Sequence, residues 1–125
     1  MSVIERVKLT SVAKNQLVAL KRKTGIEHNN VLCRHALCLS LANASIPPEE
    51  TFNFAGGLEI DWRTFTGNNE GVYHNLIVVR LLRDQILPTP NSIRQALLLH
   101  VHRGLSYLAS RREDELLTEL ASSLV

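Results

Sequence analysis

No apolar run in this 125-residue chain approaches the roughly 20 residues a membrane-spanning helix needs, because Arg80, Arg83, His100 and His102 interrupt the longest ones. The opening MSVIERVKLT likewise lacks the apolar centre of a secretory signal, so the expected setting is soluble and cytoplasmic, with no membrane partner. Cysteine is scarce. Cys33 and Cys38 stand five apart in CRHALC, a spacing that on a helix diverges by about 140°. That excludes a mutual disulfide, and it is not the C-x-x-C of a redox or zinc site. Both read as small apolar helix residues, and a metal site recruiting His28 and His35 is not expected. The P-loop, G-x-S-x-G and H-E-x-x-H motifs are missing, as are internal repeats and low-complexity runs. His100 and His102 are two apart and project to different sides of a helix. Paired acids such as Glu59 and Asp61 are common without chemistry. No catalytic residue, metal or cofactor is therefore expected.

Lysine is absent after residue 23. All four lysines, Lys8, Lys14, Lys21 and Lys23, lie in VKLTSVAKNQLVALKRKTG with Arg22, and every later cation is arginine. The formal net charge of +2 conceals a strong asymmetry. Through Arg34 seven cations meet two acids, whereas the remainder has seven arginines against ten acids. Such a split points to a basic surface for a polyanion and an acidic remainder that favours solubility.

Ordinary globular composition, with 45% hydrophobic and 21% charged residues, suggests one domain over 1–125. Three segments divide it: a basic strand-helix-helix part (1–42), a Gly/Pro-rich ordered loop (45–71) and a helical part (72–125). VIERVKLT alternates as a half-buried strand, with Val7 and Leu9 inward and Arg6, Lys8 and Thr10 outward. Thr10 or Ser11 can cap the next helix, where Ala13, Leu17 and Leu20 fall at helical spacing before a left-handed stop at Gly25. A second helix, capped by Asn29 or Asn30, is apolar almost all round and calls for burial on most faces, suggesting a partner subunit. Around LEIDWRTF an ordered loop or short hairpin is expected. Trp62 and Phe65 there can either stack on a nucleobase or anchor the loop to the core. VYHNLIVVRLLRDQIL reads as a helix in spite of its β-branched residues. Asn91 or Ser92 then caps a helix with the stripe Ile93, Leu97, Val101, Leu105, Leu108, and the tail offers Leu116, Leu117, Leu120 and Leu124. The fold class is thus mainly α.

Strand, helix, glycine turn and buried helix in that order resemble the ribbon-helix-helix class of DNA binders, in which two chains pair their strands. The lysines add to this. Lys14 and Lys21 share a helix face with Arg22 adjacent, so three charges can follow a phosphate backbone and release its counterions. Ammonium groups serve better as point charges on phosphate than as readers of base edges, which suggests a holder of DNA rather than a sequence reader. A solvated helix face, with cations complementing the dipole in the last turn, accounts for the same residues without any ligand.

Across its length the chain resembles the DndE family of DNA sulfur modification proteins, most distinctively in GGLEIDWRTFTG and LPTPNSIRQALLLHVHRGLSYL, and also in VKLTSVAKNQLVALKRKTGI and VLCRHALCLSL. That family serves the machinery that replaces a non-bridging phosphate oxygen of DNA with sulfur. The resemblance implies an accessory, non-enzymatic homo-oligomer, a tetramer, that binds double-stranded DNA with a preference for nicked duplex and works beside sulfurtransferase and SMC-like ATPase subunits. Residues fitting such a surface are Lys14, Lys21, Arg22 and Lys23, with Lys8 on the preceding strand. Three alternatives compete: a protein-protein adaptor docking through the GGLEIDWRTFTG loop, a ribbon-helix-helix transcriptional regulator, and a nuclease or sulfur carrier using Cys33 or Cys38 beside Arg34.

Overall fold

In the computed structural model residues 3–112 are described, together with 115, 117, 118 and 121 of the tail. The tail leucines Leu116, Leu120 and Leu124 lie outside the described residues, and Leu117 is exposed.

Alternation in the first segment forms β1 (Arg6–Leu9), with Val7 and Leu9 fully buried and Arg6 and Lys8 turned to solvent. Its partner belongs to the same chain. β2 (Leu58–Asp61) runs antiparallel to it in the register Arg6↔Asp61, Val7↔Ile60, Lys8↔Glu59, Leu9↔Leu58. The mainly α fold with a short N-terminal strand is as expected, and two details differ. β1 does not need a second subunit's strand to form a ladder, and LEIDWRTF does not fold back on itself as a hairpin. Instead the chain passes from β2 straight into α3 (Trp62–Thr66), whose first turn is capped by the Asp61 carboxylate accepting from the Thr64 N–H.

α1 (Ser11–Thr24) starts at Thr10, whose hydroxyl accepts from the Ala13 N–H at 3.1 Å, and stops at Gly25. Gly25 has φ +74°, a conformation that costs glycine little and other residues more, and its N–H closes on the Lys21 carbonyl. Ala13, Leu17 and Leu20 form the buried face.

α2 (Asn29–Ala42) is capped by neither asparagine. His28 occupies the N-cap position without a side-chain bond, and Asn30 donates instead to the Thr64 carbonyl, 3.1 Å away on α3. A tertiary hydrogen bond has taken the side chain that the local pattern assigned to capping. Leu32, Cys33, Ala36 and Leu37 are completely buried. They are covered from within the chain, because α2 packs chiefly on α5 (Pro90–Ala109) and also on α1 and α3. The burial that the sequence assigned to a partner subunit is thus met largely by the long C-terminal helix.

α4 (Glu70–Arg83) is helical through its β-branched stretch and buries Ile77, Arg80 and Leu81. α5 is capped two to three residues earlier than Asn91 or Ser92 would place it. Thr89 is the N-cap, Pro90 takes the first helical position, and Ser92 reciprocates: its N–H donates to the Thr89 hydroxyl at 3.0 Å and its Oγ accepts from the Thr89 N–H at 2.7 Å.

Two arginines tie the end of α2 to the rest. Arg80, almost wholly buried, donates to the carbonyls of Leu41, Asn43, Ala44 and Ser45 and to the Asp84 carboxylate at 2.8 Å. Arg103 donates to the Ser40 hydroxyl and to the Ser40 and Ser45 carbonyls. Ser40 Oγ also pairs with Nδ1 of His100, 2.8 Å away.

Candidate nucleic-acid interface

Lys14 and Arg22 are exposed on α1, Lys21 and Lys23 are half-buried there, and Lys8 is exposed on β1. Among the described residues, no hydrogen bond or ion pair holds any of these five side chains. Helical geometry sorts them further. Seven positions bring Lys21 to within about 20° of Lys14, roughly 10 Å along the axis, far enough apart to meet separate phosphates of one DNA strand. Arg22 lies about 100° farther round and Lys23 about 160° from Lys21. Lys14, Lys21 and Arg22 therefore share one flank and the solvent face of α1, while Lys23 falls on the opposite flank.

Lys8 is separated in a different way. It stands directly across the sheet from Glu59, and Arg6 across from Asp61. Arg6 also reaches Glu59 at 3.8 Å, with both side chains well exposed. Glu59 and Asp61 do share one face of β2, but they face two cations, the arrangement of a cross-strand charge balance rather than a carboxylate pair for acid-base work.

The aromatics of the loop are anchors. Trp62 is 3% exposed, Phe65 is completely buried, and their rings stack at 5.5 Å. Neither is free to meet a nucleobase or a docking partner. Burial pushes the Cys33 thiol up to about 12, against the lowering effect of Arg34, and partial desolvation pushes the more accessible Cys38 thiol upward too. Both shifts oppose the thiolate a sulfur carrier needs. His102 is pinned between the Thr10 N–H, which donates to its Nε2 at 3.2 Å, and the Leu98 carbonyl, 2.7 Å from its Nδ1. His100 faces Ser40, so the two rings share no ligand. Among the described residues no group of three or more His, Cys, Asp or Glu side chains gathers as metal ligands would, and no helix is long and apolar enough to cross a membrane.

The sequence pattern missed the neighbours that tertiary packing brings to β1. Arg94 on α5 donates to the Val3 carbonyl at 3.1 Å and stands beside Arg6 and Lys8, and Phe54 joins them from the loop. Local periodicity carries no signal for a meeting between residues so far apart along the chain.

A sequence profile described as DNA sulphur modification protein DndE matches residues 6–115. The chain belongs to the DndE family. The crystal structure of DndE from Escherichia coli B7A, involved in DNA phosphorothioation modification, has the same fold as this DndE-family chain: TM-score 0.68 at 21% identity, over 84% of this chain and 98% of that one. No curated protein sequence matches it. The elements β1, α1 and α2 and the GGLEIDWRTFTG and LPTPNSIRQALLLH stretches all fall inside the matched range.

Proposed function

We propose that this DndE-family chain is an accessory, non-catalytic subunit of the DNA phosphorothioation machinery that holds duplex DNA, nicked in preference to intact, through α1. The observation that carries this reading is the group Lys14, Lys21 and Arg22, gathered on one side of a helix with no described acidic partner. Unpaired ammonium groups at that spacing suit phosphates and gain from counterion release. A nicked duplex bends at lower cost than an intact one and so can follow several such patches at once. Participation of the Escherichia coli relative in phosphorothioation, and the family assignment, support the setting. Its partners there are the sulfurtransferase and SMC-like ATPase subunits.

Repetition of the patch in a homo-oligomer, a tetramer, supplies the avidity a single helix lacks. α4 supports self-association: Val72, Leu76, Val79 and Leu82 are all more than two-fifths exposed on it, an apolar surface uncommon on a monomer. The test is the salt dependence of DNA binding. Replacing Lys14, Lys21 and Arg22 together by alanine should flatten the slope of log affinity against log salt, and an unchanged slope would remove α1 from the interface.

A further inference from the structure

Between β1 and α5 lies a cleft of about 210 Å³ lined by Ile4, Arg6, Lys8, Phe54, Arg94, Leu97 and Leu98. Its floor is apolar, since Ile4 and Leu97 are deeply buried, and the only charges among its lining residues are the three cations. The acids opposite β1, Glu59 and Asp61, belong to β2 and do not line it. Phe54 is the outer ring of an aromatic column. It stacks on Phe52 at 6.0 Å, and Phe52 stacks on His102 at 4.4 Å. Both nitrogens of His102 are hydrogen-bonded, so the inner end of the column is fixed and the ring at the cleft is held in place in advance.

An apolar slot with an immobilised aromatic wall and a cationic rim fits a ligand that is flat and uncharged at one end and anionic at the other. Its volume is below the 300–1,000 Å³ or so usual for drug-sized ligands and suits one heterocycle rather than a large cofactor. We propose that this cleft takes the unstacked terminal nucleotide at a DNA nick, with the base against Phe54 and Leu98 and the flanking phosphates on Arg6, Lys8 and Arg94. The inference rests on the reading of the chain as a DNA holder and gives a second, local source for its preference for nicked duplex: only a broken strand has an end free to leave the stack. Every base has a stackable face, so the site needs no sequence preference.

The experiment compares intact duplex with the same duplex carrying one nick, with 2-aminopurine at the nick as a fluorescent reporter of unstacking. Wild-type protein should bind the nicked form more tightly and brighten the reporter. Phe54→Leu, which keeps an apolar side chain at this position, should cut the preference for nicked over intact duplex about tenfold. Arg6→Ala, at an exposed position, should lower nicked-duplex affinity severalfold and the fluorescence change with it. If both variants keep the nick preference and the reporter signal, the cleft assignment is overturned while DNA holding stands. If wild-type protein binds neither duplex, the underlying reading fails and the cleft proposal with it.

Discussion

Gly104 of α5 lies against the backbone of Ala36 on α2, so closely that a β-carbon at 104 would overlap the Ala36 carbonyl oxygen. Backbone, unlike a side-chain tip, cannot rotate away, and this is the contact where the two principal helices meet. Gly104→Ala should therefore cost about 3 kcal/mol or more, or prevent folding, although alanine has the better helix propensity. Urea unfolding monitored by circular dichroism would check it.

Arg80 is the second point on which packing depends. Its guanidinium serves four carbonyls and a carboxylate at once. Removing it leaves those acceptors and Asp84 short of partners, so Arg80→Met should destabilise by about 3 kcal/mol. Arg80→Lys should recover little, because a single ammonium cannot span a fork of that width. Midpoints of chemical denaturation for the two variants test both statements.

Stability should fall on mild acidification. Burial, reinforced by Arg80 and Arg103, lowers His100 to about 4, and burial lowers His102 as well. A group whose folded value is depressed is neutral in the fold at pH values where the unfolded chain already takes up a proton. Its contribution is fully present above the unfolded value of about 6.5 and lost as pH falls toward 4. Between pH 7 and pH 5 His100 accounts for at most about 2 kcal/mol, and His100→Gln should flatten that dependence. Unfolding midpoints measured at the two pH values, for wild type and variant, are the check.

The lysines should not act equally. With Lys14 and Lys21 on one flank and Lys23 on the other, Lys14→Ala with Lys21→Ala should reduce the salt slope of duplex binding by about two units, and Lys23→Ala alone by well under one. Titrations across a range of salt concentrations distinguish this from a cluster acting as a whole. Equal effects would mean that DNA wraps both sides of α1.

On α4, Leu76→Glu with Val79→Glu should lower the mass in solution toward that of the single 14.0 kDa chain while leaving helix content intact, since both side chains are exposed. Light scattering coupled to size-exclusion chromatography reads the mass directly.

Much of this fold was legible because its signals are local. Thr10, Gly25 and the alternation of β1 each act within a few residues, and the structure has them where the pattern puts them. The asparagines at the start of α2 were misread for a complementary reason: Asn30 answers to Thr64 on another helix, which no window around residue 30 contains. β2 was half visible, as an ordered stretch without its partner strand. The largely apolar α2 asked for burial, and sequence could not say that α5 would supply so much of it. In the candidate interface, charge counting found the cations of α1, while the meeting of Arg6, Lys8, Arg94 and Phe54 depends on the completed tertiary fold.

The pairing of β1 with β2, and the docking of α1 on α5, have a consequence for synthesis. Because translation runs from the amino terminus, the basic helix emerges before either element that will hold it in place. A nascent chain halted before residue 90 would display its lysines on a helix that lacks its main packing partner, α5. A fixed array of cations thus comes into being only when the last long helix has left the ribosome.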